Sequence, residues 1–303
     1  MEKEKIVKMS PFCYYPGIEA VLENKRKSCD AATIKSAFNK GHFKDIDVYI
    51  VKTVFDYDVI NKNALTFCLN NSSEVPEVYK KGDYTRNIHN LVERGVLLRY
   101  SFRVGDKCSP CVYTLSKGAL QYFSRMFGRG FSFSHRSNPF ISDTRPESFL
   151  RMVSFNQFFI RLIKSNLKMK RVRTDVKLNY KKQSLYLDAY IRFCTIDNKD
   201  LDFIFLCFRN TEDMKETVNA YLEAICHHYS RSLPTVVLIV ESLNMAKEIE
   251  MFKISKERFR NLSVFYLPDT VAISEEPMSL LYAIEPGNNF SKVNEYSFAL
   301  GRK

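Results

Sequence analysis

The sequence lacks several features that would assign it to a well-marked class of protein. No stretch approaches the run of about eighteen apolar residues that a membrane-spanning helix needs, so no membrane association is expected. The first residues, MEKEKIVKMSPFCYYPG, lack the apolar core of a secretory signal peptide, which predicts a cytoplasmic protein. The patterns GxxxxGK[ST], GxGxxG and GxSxG are also missing, so nucleotide hydrolysis and serine-hydrolase chemistry have no support.

The cysteines and basic residues are not concentrated in any one place. The eight cysteines are scattered and are expected to be free thiols in a cytoplasmic chain. No long tract of Lys or Arg is present, which excludes a disordered polybasic tail as the binding element. The net charge is nevertheless +12, and the excess lies within residues 1–233. Such a bias favours a polyanionic partner, most simply double-stranded DNA, with a basic solvated surface as the alternative.

The length of 303 residues predicts two domains, and the apolar share of 45% is sufficient for a buried core in each. A segment rich in Gly, Ser, Asn and Pro is typical of a linker. We therefore expect five parts: an N-terminal extension (1–43), a first domain (44–127), a linker (128–144), a second domain (145–267) and a loosely packed C-terminal tail (268–303).

The first domain has the element order of a winged helix. Apolar residues at helical spacing predict three helices, and Gly95 is expected to end the third in a left-handed cap. Two strands then flank a turn, and a last helix follows. In chain order, the predicted elements are helices at 46–55, 59–69 and 84–94, strands at 96–104 and 111–115 around Gly105-Asp106, and a helix at 119–127. A short helix at 29–39, capped by Asp30, is expected in the N-terminal extension.

The third predicted helix has a polar face of the kind that enters the major groove of DNA. Arg and Asn side chains can make bidentate contacts to guanine and adenine edges. From the helix, the candidate DNA contacts are Thr85, Arg86, Asn87, Asn90 and Arg94, and from the hairpin they are Arg99, Arg103 and Lys107. The alternative is that the same fold binds another protein.

The second domain is predicted to follow the order α-β-β-β-α-β-α-β. A helix opened by Pro146 precedes three strands, and Thr211 is a candidate N-cap for the strongest helix. The predicted elements are a helix at 146–165, strands at 172–179, 185–194 and 201–208, a helix at 211–229, a strand at 235–240, a helix at 244–254 and a strand at 262–267.

Two short motifs carry a resemblance to a known family. The segments Leu91–Arg99 and Tyr113–Gly118 resemble the winged helix of the replication-relaxation family of plasmid and mobile-element proteins. The order of the second domain is similar to the core of the PD-(D/E)XK nuclease superfamily. The resemblance covers about residues 44–267 and implies an α+β protein, a winged helix followed by a restriction-endonuclease-like α/β domain. It also implies a role in replication, transfer or transcription control of a mobile element, with other replication or conjugation proteins as partners. A homodimer is expected because winged helices usually read two half-sites as a symmetric pair.

The nuclease-like domain lacks part of the catalytic motif of that superfamily. Asp188 fits the first acidic position, but the next strand ends in Cys207-Phe208-Arg209, where a carboxylate and a Lys are required. Arg209 stays protonated and is a poor base, and Glu223 could supply only one further ligand. We therefore expect a non-catalytic domain without metal or cofactor, used for binding or dimerisation. Asp188 would then have a structural role, such as pairing with Arg192 or Arg209. A Mg²⁺-dependent DNA endonuclease using Asp188, Glu223 and Arg209 is one alternative, and a protein-interaction adaptor is another.

A second basic cluster lies near the first strands of this domain. It comprises Lys168, Lys170, Arg171, Arg173, Lys181 and Lys182. Two interpretations stay open: a rim that binds DNA phosphates, or a β-edge protected from aggregation by its lysines.

Overall fold

The computed structural model describes residues 10–24, 29–105, 107–128, 146–254, 257–259, 261–274, 276–285 and 292–303, without the side chains of Lys107, Asp175 and Ile254. The protein has a mixed α/β fold and divides into two compact units. The helical unit is Tyr15–Ile160, and the sheet unit joins the described residues before Tyr15 to Arg161–Lys303. No helix among the described residues is long and apolar enough to cross a bilayer.

Among the described residues, the helical unit contains five α-helices, the greater part of a sixth, and a small sheet. Its helices are α1 (Ala31–Asn39), α2 (Asp45–Tyr57), α3 (Lys62–Asn70), α4 (Thr85–Glu93), α5 (Lys117–Phe127) and the first part of α6 (Pro146–Lys164). Its strands are β1 (Glu19–Leu22), β2 (Ile60–Asn61), β3 (Leu97–Val104), β4 (Lys107–Cys108) and β5 (Val112–Leu115). The strand order is β1-β3-β5-β2, and β4 pairs with β3.

The predicted helices and strands of this unit are confirmed to within a few residues. Asp30 caps α1 by accepting from the backbone N–H of Thr33, and Asn61 caps α3 by accepting from that of Ala64, both at 2.8 Å. Gly95 has a φ of +68°, the left-handed conformation that ends α4. The sequence thus specifies the starts of α1 and α3 and the end of α4.

The core of the helical unit is formed by apolar residues at helical spacing on α2, α3 and α4, together with an aromatic cluster at the junction of α1 and α5. Phe123 of α5 is fully buried and contacts Phe38 and Phe43 edge-on. A Cβ atom at Gly118 would lie 2.0 Å from the carbonyl oxygen of Cys29, so only glycine permits this close approach of α5 to the start of α1.

The predicted N-terminal extension and the predicted domain boundary need correction. Within 1–43, β1 pairs with β3 in antiparallel register, from Glu19 opposite Arg103 to Leu22 opposite Tyr100, and α1 packs on α5. Residues 15–24 and 29–43 are therefore part of the helical unit. The division between the units falls inside α6, between Ile160 and Arg161, rather than at residue 145. The predicted linker, apart from Gly128, lies outside the described residues.

The sheet unit has a seven-stranded sheet with helices packed against it. Its strands are β6 (Met169–Tyr180), β7 (Gln183–Cys194), β8 (Asp200–Cys207), β9 (Thr235–Val240), β10 (Val264–Pro268), β11 (Leu281–Glu285) and β12 (Lys292–Tyr296). Its helices are α7 (Met214–His228), α8 (Leu243–Ile254) and α9 (Asp269–Ala272). The strands lie in reverse chain order from β12 to β6. The neighbours β8, β9 and β10 are parallel, and the other pairs are antiparallel.

The predicted order of helices and strands from α6 to β10 is confirmed, with two corrections. The N-cap of α7 is Asp213 rather than Thr211, whose hydroxyl donates to the Asp213 carboxylate at 2.7 Å. The predicted loose tail is wrong, because β11 and β12 extend the sheet. The backbone of Gly301 also donates to the carbonyl of Cys194 at 2.7 Å, which ties the chain end to β7.

Candidate nucleic-acid interface

Helix α4 buries one narrow stripe and exposes the rest of its surface. Ile88, Leu91 and Val92 are its buried residues, and their spacing places them on one side of the helix. Arg86 and Asn90 are exposed. Within the described part of the chain, neither side chain has a hydrogen-bond or ion-pair partner. These two side chains are therefore available to an external ligand.

Asn87 does not share this exposed surface. Its amide donates to Asp47 Oδ1 on α2 at 2.8 Å. Asp47 is buried, and its other oxygen accepts from the backbone N–H of Lys44 at 2.9 Å. Asn87 therefore holds α4 against α2 and is removed from the candidate DNA contacts.

The start of α4 carries a polar cluster that includes a cation missed by the sequence analysis. The side chain of Asp83 accepts from the backbone N–H of Thr85 at 3.0 Å and lies 3.3 Å from Lys62 Nζ. The hydroxyl of Thr85 also contacts both of these side chains. Hydrogen bonds from Thr85 and Lys62 lower the pKa of Asp83, so this exposed carboxylate is ionised at neutral pH. Lys62, which follows the N-cap of α3, stands beside the start of α4.

The end of α4 is held by two polar contacts. The guanidinium of Arg94 donates to the carbonyl of His42 and lies 5.9 Å from the centre of the Phe43 ring. The amide of the buried Asn24 donates to the carbonyl of Val92 at 3.2 Å. Arg94 is exposed but packs on its own domain, so the structure gives it a partly structural role.

Two hairpin arginines predicted to reach phosphates already have partners within the helical unit. Arg99 Nε donates to Cys111 Sγ at 3.2 Å, and Arg103 pairs with Glu23 on the neighbouring chain segment at 2.5 Å. The hydrogen bond from Ser101, assisted by Arg103, holds the pKa of Glu23 below its usual value. Lys107 lies in β4, and its side chain is outside the described residues. The hairpin thus offers fewer free cations than the sequence suggested.

The second basic cluster lies on or beside β6, the edge strand of the large sheet. Three of its cations have polar partners: Lys168 with Asn198 at 3.4 Å, Lys170 with Asp200 at 2.5 Å and Lys181 with Glu223 at 2.8 Å. Arg171, Arg173 and Lys182 are exposed. Across the described residues, the side chains of these three make no hydrogen bond or ion pair. Lys177, which the sequence analysis did not single out, shares both properties.

Asp188, Glu223 and Arg209, the residues of the endonuclease alternative, each form hydrogen bonds or ion pairs with other groups of the protein. Asp188 is buried and accepts from the backbone N–H of Cys207 at 2.7 Å. Glu223 is paired with Lys181 and with Arg258. Arg209 forms two hydrogen bonds to Asp269, at 2.6 and 3.1 Å. The expected pairing of Asp188 with Arg192 or Arg209 is wrong, because Arg192 binds Asp202 at 2.6 Å and Arg209 binds Asp269.

Buried charges gather where the parallel strands β8, β9 and β10 end. Arg209, Glu241 and Asp269 are all buried there, and the backbone N–H of Tyr14 donates to Glu241 Oε1 at 2.8 Å. Burial raises the pKa of Glu241 above its usual value. Burial, followed by the charge of Glu241, also raises the pKa of the Cys13 thiol to about 11. Within the described residues, no group of three or more His, Cys, Asp or Glu side chains is placed to hold a metal ion.

Comparisons with protein-family models, with curated proteins and with solved structures found no match.

Proposed function

We propose that the protein binds double-stranded DNA sequence-specifically and that α4 reads base edges in the major groove. The observation that carries the proposal is the exposed face of α4, where Arg86 and Asn90 have no partner among the described residues. Arg pairs with guanine and Asn with adenine through two hydrogen bonds each, and each such contact contributes about 1–3 kcal/mol of discrimination. An unpaired Arg and Asn four residues apart would face two neighbouring base pairs.

The order of elements around α4 supports a winged-helix domain in the helical unit. Helices α2, α3 and α4 precede the β3–β5 hairpin, and the buried residues of α4 are Ile88, Leu91 and Val92. In winged helices and related folds, the third helix lies in the groove while neighbouring elements contact the backbone. Lys62, beside the start of α4, would contact a phosphate on one flank of that groove by exchanging its ion pair with Asp83 for the phosphate.

For the sheet unit, we propose a nuclease-like scaffold that binds or dimerises rather than cuts. Asp188, Glu223 and Arg209 are each held by protein groups, and Cys207 occupies the position of the second carboxylate. A plasmid-nicking assay in Mg²⁺ and in Mn²⁺ tests this part. No nicking is expected, whereas nicking that Asp188→Ala abolishes would establish the endonuclease alternative.

A homodimer is part of the proposal, because one short recognition helix reads few base pairs and symmetric pairs read two half-sites. The biological setting implied by the replication-relaxation resemblance is replication, transfer or transcription control of a mobile element. Sedimentation equilibrium of the full chain tests the dimer. A single monomeric species at every concentration would contradict it.

Selection from a random pool of DNA duplexes with the full chain tests sequence-specific binding. Enrichment of one motif, with two half-sites, is the expected result. Retention of all sequences to the same extent would overturn specific readout, and no retention at low salt would overturn DNA binding altogether.

A further inference from the structure

We propose that the β6–β7 hairpin of the sheet unit is a second nucleic-acid surface, which grips the phosphate backbone independently of base sequence. Its contacts would be made by Arg171, Arg173, Lys177 and Lys182, which we call the basic edge. The inference rests on the proposed DNA-binding function but concerns a different surface on a different compact unit.

The charge of the hairpin is strongly one-sided. Between Met169 and Cys194 there are seven Lys and Arg residues and two Asp residues. One of the two acids, Asp188, is 2% exposed and accepts a backbone hydrogen bond. Local partners neutralise Lys170, Lys181 and Arg192. The four cations of the basic edge keep their charge exposed, since they have no ion-pair partner among the described residues.

Protection of an open sheet edge does not account for this number of cations. Charges of either sign on an edge strand discourage pairing with another chain, so protection of the edge does not require an excess of cations. The strand at the opposite edge of the same sheet, β12, carries one Lys and one Glu, Lys292 and Glu295. The excess is therefore specific to β6, which indicates an attraction between this edge and a polyanion.

The tip of the hairpin gives a second, independent observation. Lys181 and Lys182 close the turn between Tyr180 and Gln183, with φ of 44° and 64°. A two-residue turn with both φ values positive strongly prefers Asn and Gly, because side chains with a Cβ are strained there. Two lysines occupy these positions, and the Lys181–Glu223 ion pair holds the first against α7. Strained backbone that presents an exposed charge is typical of a binding position.

The length of the edge suits a duplex. Strand β6 has twelve residues and spans at most about 40 Å. One turn of B-form DNA is about 34–36 Å long, and the duplex carries one phosphate charge per ~1.7 Å of axis. A row of cations on an extended strand can thus follow one stretch of backbone without base contacts. An acidic loop of a protein would need fewer and more closely grouped cations.

The salt dependence of binding tests the basic edge in the full chain. The double variant Arg171→Gln/Arg173→Gln is compared with wild type on a duplex of random sequence, between about 50 and 200 mM salt. Loss of two phosphate contacts should reduce the slope of log K against log salt by about 2. The matched control is Lys215→Gln/Arg231→Gln, which removes two other exposed cations of the same unit and should leave the slope unchanged. An unchanged slope in the double variant, or an equal fall in the control, would overturn the proposal.

The variant Lys182→Gly separates a binding role from a structural one. Glycine relieves the left-handed strain at this position and leaves the Lys181–Glu223 pair in place. We expect the midpoint of thermal unfolding to equal or exceed that of wild type. The slope of log K against log salt should fall by about 1. If the slope stays at the wild-type value, Lys182 does not contact phosphate and the proposed tip contact is wrong.

The outcomes also separate this inference from the proposed function. If Arg86→Ala and Asn90→Ala leave the enriched motif unaffected while the basic-edge variants reduce the slope, base readout by α4 fails and the basic edge stands. If the basic-edge variants bind DNA as wild type but lose binding to polyglutamate or to phosphatidylserine vesicles, the surface serves an acidic protein or a membrane, and the present inference is wrong.

Discussion

Asp188 on β7 accepts a hydrogen bond from the backbone N–H of Cys207 on β8, with 2.7 Å between Oδ2 and N. Asp188 is 2% exposed, and Cys207 is fully buried. Cys207 is the last residue of β8, so the contact fixes the end of that strand against its neighbour. The acid that most suggests a nuclease from the sequence thus has a defined role in holding two strands together.

The first prediction is that Asp188→Ala destabilises the sheet unit. The substitution leaves the buried N–H of Cys207 without this acceptor, and a hydrogen bond to a charged group contributes about 1.5–3 kcal/mol. Urea denaturation of the full chain measures the loss. Asp188→Asn keeps an oxygen acceptor and should lose less, so equal stability of all three proteins would contradict the account.

The second prediction concerns the buried pair Arg209–Asp269. Asp269→Ala leaves the Arg209 guanidinium, 4% exposed, without its bidentate partner. Breaking a buried pair on one side costs about 3–5 kcal/mol. The double variant Arg209→Met/Asp269→Leu removes both charges and should be markedly more stable than Asp269→Ala in the same denaturation experiment. If the double variant is less stable than Asp269→Ala, the unpaired charge of Arg209 is not the cause of the destabilisation.

The third prediction is a pH dependence of stability that originates at Glu241. Because burial raises its pKa in the folded state, the folded protein binds this proton more tightly than the unfolded chain does. Protonated Glu241 therefore stabilises the folded state fully below pH 4.5, the pKa of the group in the unfolded chain. This stabilisation is lost as the pH rises through the higher pKa of the folded state. Glu241→Gln cannot ionise, so its free energy of unfolding should fall less than that of wild type between pH 4.5 and neutrality. The exposed Glu248→Gln is the control and should follow wild type.

The fourth prediction compares two asparagines on α4. Asn87→Ala removes the donor to the buried Asp47 and should cost about 1–3 kcal/mol of stability, with DNA affinity unchanged. The side chain of Asn90 has no partner among the described residues, so Asn90→Ala should leave stability unchanged. The same substitution should lower affinity for the enriched motif. Thermal unfolding and fluorescence anisotropy of both variants check the two effects. An affinity loss in Asn87→Ala as large as in Asn90→Ala would place Asn87 at the interface after all.

Local sequence signals are sufficient to predict most helices and strands, but they do not predict which distant segments pair. Gly95, Asn61 and Asp30 mark helix ends through backbone geometry and capping, which depend on adjacent residues. The pairing of β1 with β3 joins segments about eighty residues apart, and the pattern of residues 19–22 does not predict it. The sequence does not reveal the strands of the tail for the same reason, because β11 and β12 are short and depend on the sheet beside them.

Tertiary contacts decide which of the candidate DNA-binding side chains remain available. The amino-acid sequence alone does not show these contacts. Arg86 and Asn87 are adjacent polar residues on one helix, yet only Asn87 is directed at a buried carboxylate on α2. Likewise Arg103 and Arg173 are both strand arginines, but of the two only Arg103 pairs with an acid, Glu23, among the residues and side chains that the structure describes. The polar residue types identified the surface, and the fold determined which of them remain free.

The most direct measurement of the central claim is the base preference of Arg86→Ala. Wild type and variant are titrated with the enriched duplex, with duplexes changed at each position of the motif, and with a shuffled duplex. The account predicts a loss of about 1–3 kcal/mol on the enriched duplex, little loss on the shuffled duplex, and loss of base preference at one position. An equal loss on both duplexes, or no loss on either, would contradict the insertion of α4 into the major groove.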